Sequence, residues 1–293
     1  MKKLTFSTSN LFIIMNMNFF KRFDKVIFGT WKMFDKKDYQ KYSTLVSKMK
    51  DDKKQIIIPT NQSNFEQLKQ FQEKYNLSPE LHSKIKECQG SKSSCQVKEK
   101  KEEIINDIQK NKKIKTEDME RIKQLVSNST NTVFGCRQEK NTIQEFEAIQ
   151  NCKVIGGQKR CEYVIGKYND DFEIVLVGKI DGITENGEII EIKNRINKNF
   201  NFLKDYERPQ IMTYLWMHKA SQGYLVENLK SRTKSDINVI SVEYKDNYVE
   251  EFVIPNVQRY FEFFKEFMSS EELKIALLKG DEARVYNYFM ENY

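Results

Sequence analysis

Histidine is nearly missing from this chain: His82 and His218 are the only two in 293 residues. A zinc site built on imidazoles needs more, so that class is set aside. Cysteine is also sparse. Cys88, Cys95, Cys136, Cys152 and Cys161 are odd in number and form no C-x-x-C pair. That excludes a disulfide scaffold and points to a reducing, intracellular compartment. Long apolar runs are lacking as well. The longest near the start, 11–15, is too short to span a bilayer or to serve as a signal-peptide core. No membrane association is expected.

What the chain has is charge. Charged residues make up 31% against 39% apolar, and 49 Lys and Arg outnumber 42 Asp and Glu, for a net charge of +7. That surplus suits a polyanion partner and equally suits a solvated surface. The first 23 residues contain Lys2, Lys3, Lys21 and Arg22 and no acid. This is the composition of an organelle transit peptide, and also of a folded or frayed N-terminus. Nucleus, cytoplasm and mitochondrion all remain open.

Two regions are expected. Residues 1–115 read as lysine-rich and mainly helical, with helices over 65–75, over 78–87 (Ser78 as cap and Pro79 in the first turn) and over 98–110, then a linker at 111–115. Residues 116–293 carry the stronger patterns. Thr116 caps a helix ending near Ser127, and Phe134-Gly135 opens another that runs to about 149. Strands are expected over 161–168, 172–184, 188–194, 223–228, 237–244 and 248–254. Helices are expected over 208–220 and from Asn256 onward, the last with a stripe of Tyr260, Phe261, Phe264 and Phe267. This order predicts an α/β fold, a mixed central β-sheet flanked by helices, with a helical N-terminal region.

The segment 177–195 carries the chemistry. It reads Val-Gly-Lys-Ile-Asp-Gly, a turn, then Glu-Ile-Ile-Glu-Ile-Lys-Asn-Arg. Asp181 and Glu191 sit in apolar strand sequence, where unpaired carboxylates are costly. Register decides whether they meet. A two-residue turn at 186–187 puts them on opposite faces. A three-residue turn at 185–187, with Gly187 left-handed, pairs Asp181 with Glu191 and adds Lys193 to the same face. Opposed carboxylates need a cation between them. Asp181, Glu191 and the Ile192 carbonyl would hold Mg²⁺ or Mn²⁺. Lys193 would orient or deprotonate a water. The competing reading is an ion pair across an exposed hairpin. Glu139 shares a helical stripe with Ile143 and Phe146, as a third metal ligand or as a helix-start acid. Gln210 and Tyr214 share a helix face, with Gln210 able to bind the water or a phosphate oxygen. Arg195, Lys198, Lys204 and Arg208 would grip a DNA backbone or line a solvated loop. Trp216 reads as core rather than a base-stacking platform, and His218 as structural or solvent-exposed rather than a ligand.

Taken together, these elements resemble the PD-(D/E)XK nuclease superfamily, within it the lambda-exonuclease and YqaJ-like viral recombinase group, over about residues 130–270. The resemblance lies in Phe134-Gly135-x-x-x-Glu139, in Asp181-Gly182 followed by Glu191-Ile192-Lys193, and in Gln210-x-x-x-Tyr214. It implies a restriction-endonuclease-like core and metal-dependent hydrolysis of DNA, often from a duplex end, in recombination, repair or genome processing. It implies metal on Glu139, Asp181 and Glu191, catalysis by Lys193 and support from Gln210. The chain departs from the group at Lys179, where a small polar residue is common, and in having no recognisable segment for a terminal 5′-phosphate. It also has no cysteine cluster after the Glu-x-Lys segment that could hold an iron–sulfur staple. A non-cleaving nucleic-acid binder and a structure-specific endonuclease are the alternatives.

Overall fold

The structure, a computed structural model, describes residues 1–17, 23–49, 63–245 and 247–293. It begins with a strand, not a helix. β1 (Lys2–Ser7) buries Leu4 and Phe6 by two-residue alternation. Helices α1 (Leu11–Ile14), α2 (Phe23–Phe34) and α3 (Lys36–Lys48) follow, then α4 (Asn64–Tyr75), α5 (Leu81–Gln89) and α6 (Ser94–Gln109). Helix α7 (Thr116–Gln150) leads into strands β2 (Val154–Gly156), β3 (Arg160–Lys167), β4 (Phe172–Lys179), β5 (Gly182–Thr184) and β6 (Ile189–Arg195). The chain continues through α8 (Arg208–His218), β7 (Gln222–Lys230) and β8 (Ser235–Glu243). It closes with α9 (Ile254–Ser269), α10 (Glu271–Leu278) and α11 (Glu282–Asn292).

The architecture is mixed α/β, with the strands divided between two sheets where one was expected. The three-stranded sheet has order β1-β4-β3 and the five-stranded sheet β2-β5-β6-β7-β8. β1 runs parallel to β4 and β6 parallel to β7; the other pairs are antiparallel. The strand expected over 172–184 breaks at Ile180-Asp181, between β4 and β5. There the Ile180 N–H donates to the Lys159 carbonyl at 3.2 Å. The break puts Asp181 at the seam between the sheets.

The main core joins both ends of the chain. Leu4, Phe6, Phe23 and Trp31 pack with Tyr260, Phe264, Phe267 and Phe289. Phe23 stacks on Phe289 at 5.1 Å between ring centroids. Within the leader-like segment 1–23, Leu4, Phe6, Leu11, Ile14 and Phe23 are buried in this core; residues 18–22, with Lys21 and Arg22, lie outside the described residues. A second cluster holds Leu68, Ile85, Val97, Ile104 and Ile108 against Ile122, Leu125 and Phe134 of α7. The boundary expected at 115 is thus crossed by packing in both directions, because α7 supplies the apolar face that α4 to α6 need. A third, smaller cluster sets Phe146 on Ile190, Ile192 and Val226.

Three local expectations change. The helices ending near Ser127 and starting at Phe134 are one helix, in which Thr116 is the first residue and not the cap, and Lys115 at the N-cap position makes no side-chain cap. Thr130 is buried, and its hydroxyl donates to the Val126 carbonyl at 2.9 Å, so the polar run does not break the helix. Pro79 precedes α5, which begins at Leu81. The strand expected over 248–254 is a π-helical turn, Val249–Val253, because its two fully buried valines lie four residues apart on one helical face.

Candidate active site

The site is built first by a turn. The Thr184 N–H donates to the Glu188 carbonyl at 2.9 Å, and Gly187 takes φ +85°. Gly182 lies opposite Ile190 and Ile183 opposite Ile189. This is the three-residue turn, and the same register brings Asp181 level with Glu191. One Asp181 oxygen accepts the Ile192 N–H at 2.8 Å. Ile192 thus enters the site through its N–H.

Glu191 is 4% exposed. Its Oε1 accepts from Lys193 Nζ at 2.6 Å, while its Oε2 is buried with no hydrogen-bond partner among the described residues. Burial pushes the Glu191 carboxyl up to about 7, against the pull of Lys193. Burial alone would draw the Lys193 amine down, but Glu191 outweighs it and holds the amine above its ordinary value. Lys193 is therefore an ammonium at neutral pH. It also donates to Gln210 Oε1 at 3.3 Å, and Gln210 Nε2 donates to the Tyr214 hydroxyl at 3.0 Å. Thr8, just past β1, donates to the same hydroxyl at 3.1 Å. A chain of polar contacts thus runs from the buried carboxylate to the N-terminal strand. Gly178 permits it, since a Cβ there would collide with the Tyr214 ring.

Glu139 projects from α7 toward Asp181. Burial raises its carboxyl and the Asp181 charge raises it further. Burial also raises Asp181, opposed by the Ile192 N–H. Between Glu139 and Asp181 stands a residue not anticipated, Gln158. Its Nε2 donates to Glu139 Oε2 at 2.7 Å and to Asp181 Oδ1 at 3.3 Å. Among the described residues no three carboxylates, thiols or imidazoles converge to hold one ion. The shared three-acid cage is thus not assembled in this arrangement: Gln158 spans one pair of acids and Lys193 holds the third. The donor chemistry nevertheless fits a hard divalent cation. All three acids offer oxygen, all three resist ionisation where they stand, and Glu191 keeps a buried oxygen without a partner.

The basic residues after β6 divide. Arg195 is not available to a phosphate backbone. Its guanidinium makes a two-pronged contact with Glu207 at 2.9 and 3.1 Å and reaches Glu227 at 2.6 Å. Those acids are 5% and 0% exposed, so the arginine is held as their counter-charge. Lys198 and Arg208 are exposed, and Lys204 lies over the Phe200 ring. Trp216 is half-buried against Tyr163, with ring centroids 4.2 Å apart, and donates to Glu250. His218 is half-buried, and burial lowers its imidazole.

Sequence reasoning missed Gln158 and Thr8. The one signal for the first was Gly156-Gly157, a turn ahead of a strand.

No family model matches this chain, and no curated protein matches it. Among solved structures it is similar to "Crystal structure of SSO0001", with 17% identity, a TM-score of 0.37, and 48% of this chain and 63% of that one covered. The match spans less than two thirds of that structure's length. It is also similar to "Crystal Structure of LHK-Exo in complex with dAMP", with 14% identity, a TM-score of 0.34, and 69% and 92% covered. Likeness at these scores carries no argument, and the functional reading rests on the residues.

Proposed function

We propose that the chain is a divalent-cation-dependent nuclease that hydrolyses DNA phosphodiester bonds, acting from a duplex end in the manner of the lambda-exonuclease group. The observation that supports this reading is Glu191: a buried carboxylate with one oxygen on Lys193 and the other without a partner, beside a second raised acid, Asp181. Asp181, Glu191 and Glu139, with the Ile192 carbonyl, would hold Mg²⁺ or Mn²⁺. Such an ion, when bound, polarises the phosphate and lowers the pKa of a water. Lys193, kept as an ammonium by Glu191, orients the attacking water and offsets charge gathering on the phosphate oxygens. Gln210 fixes the direction of the amine, and Tyr214 fixes Gln210. Of the basic residues after β6, Lys198, Lys204 and Arg208 would meet a DNA backbone, and Arg195 positions the strand end instead.

The test is cleavage of end-labelled linear duplex DNA with Mg²⁺, with closed-circular DNA alongside. Wild type is expected to degrade the linear form only. Asp181→Asn and Lys193→Ala are expected to lower the rate by roughly 10²- to 10⁴-fold. Cutting of the closed circle would identify an endonuclease. DNA binding without cleavage by wild type would identify a binding protein on this fold, and activity unchanged in both variants would remove these residues from the chemistry.

A further inference from the structure

The turn between β2 and β3 holds Gln158, a neutral side chain that touches two of the acids. Gln158 adopts φ +55°, a left-handed backbone conformation that is unfavourable for most side chains. The turn is fixed on both sides. A Cβ on Gly157 would lie 2.9 Å from the Asp181 carbonyl oxygen, and the Lys159 carbonyl accepts from the Ile180 N–H. The backbone therefore aims the Gln158 side chain at the acids, although the residue itself is exposed.

Only the NH₂ end of the amide can face two carboxylates, since the carbonyl end would set three acceptors together. An NH₂ group has two hydrogens, one for each acid. It offers partial positive charge where full positive charge would be favoured, and both acids stay raised beside it. A cation ligated by Glu139 and Asp181 together needs the space next to the same two oxygens. Its charge would also repel the amide hydrogens.

We infer that Gln158 is a placeholder for the cation: its amide bridges Glu139 and Asp181 in the ion-free protein, is displaced when a divalent ion binds, and so weakens ion affinity. This rests on the cation-dependent reading above. Because the side chain is exposed, it can leave by rotating about its own bonds, with no movement of the turn. Ion entry is then coupled to release of the β2–β3 turn from α7, since Glu139 is the α7 end of the bridge.

Mn²⁺ alone, titrated by calorimetry into the full-length protein and into Gln158→Ala and Gln158→Asn, tests this. Asparagine tolerates the left-handed backbone but is one methylene too short to span both acids. Both variants are expected to bind Mn²⁺ about two- to tenfold more tightly than wild type, the equivalent of roughly one hydrogen bond no longer competing. In EDTA both are expected to melt at or below the wild-type temperature, and Mn²⁺ is expected to raise their midpoints by more. Binding that is unchanged or weaker in both variants overturns the inference; weaker binding would make the amide oxygen a ligand instead. If neither wild type nor either variant binds Mn²⁺, the cation-dependent reading fails and this inference falls with it.

Discussion

Gly178 shows how closely single residues set this site. A side chain there would meet the Tyr214 ring and lie 3.0 Å from Thr8 Oγ1. Neither neighbour can yield freely, because Tyr214 is buried and Thr8 holds its hydroxyl. Gly178→Ala is expected to destabilise the protein by about 1–3 kcal/mol in denaturant melts. It should also lower cleavage by loosening Gln210 from Lys193. A second prediction at this scale concerns pH. Burial pushes Glu191 up to about 7, above its ordinary value of 4.5, so the folded protein binds a proton that the unfolded chain releases. In EDTA that contribution to stability is full below about pH 4.5 and is lost as pH rises through 7, on the order of 3 kcal/mol. Glu191→Gln, which cannot ionise, is expected to flatten the change in melting temperature across this window. A slope unchanged in the variant would assign the dependence to other groups. Asp181, Glu191 and Lys193 were legible because strand alternation and one turn decide their face. Gln158 was not, since its partners lie 19 and 23 residues away and are reached only through a left-handed backbone position.

Arg195 illustrates what the elements do that residue types do not announce. In the sequence it stands among cations following the Glu-x-Lys strand. In the fold it ties the end of β6 to Glu227 of β7 and to Glu207, the residue just ahead of α8. Glu227 also accepts the Phe200 and Asn201 N–H groups at 2.8 and 2.9 Å, so one acid anchors the connecting loop. Gln210 lies in the first turn of α8, and the clamp thereby sets its distance from Lys193. Arg195→Met would leave two buried carboxylates without their counter-charge, and is expected to destabilise by about 3–5 kcal/mol in equilibrium unfolding. Arg195→Lys keeps the charge but loses the planar fork, and should recover only part of that. A near-neutral Arg195→Met would show that the two acids are solvated or protonated in the folded protein. The pairing was unreadable in advance because it spans 12 and 32 residues and joins three elements. The single helix α7 was unreadable for a different reason: its polar stretch 127–132 looks like a loop until tertiary packing buries Ser129 and Thr130.

At the scale of the whole molecule the N-terminal segment belongs to the site's support. β1 lies parallel to β4, with Leu4 opposite Ile174 and Phe6 opposite Leu176. A parallel pair demands a distant partner, which is why no local pattern revealed it. Phe6 also meets the Tyr260 ring edge-on at 5.4 Å, and the Tyr260 hydroxyl donates to Thr30 at 2.8 Å. The strand, α2 and α9 therefore share one core, and Thr8 carries that core's position to Tyr214 and onward to the acids. The class of fold was legible because helical and strand patterns are local. Its division into two sheets was not, because the seam at Ile180-Asp181 lies inside a run that reads as continuous strand. Phe6→Ala removes a side chain that is 2% exposed, and is expected to cost about 3–5 kcal/mol. Ile155→Ala, at 70% exposure on β2, should change stability by under about 0.5 kcal/mol. If the two variants melt alike, β1 is not part of the cooperative fold, and the tie from Thr8 to Tyr214 cannot be holding α8 in place.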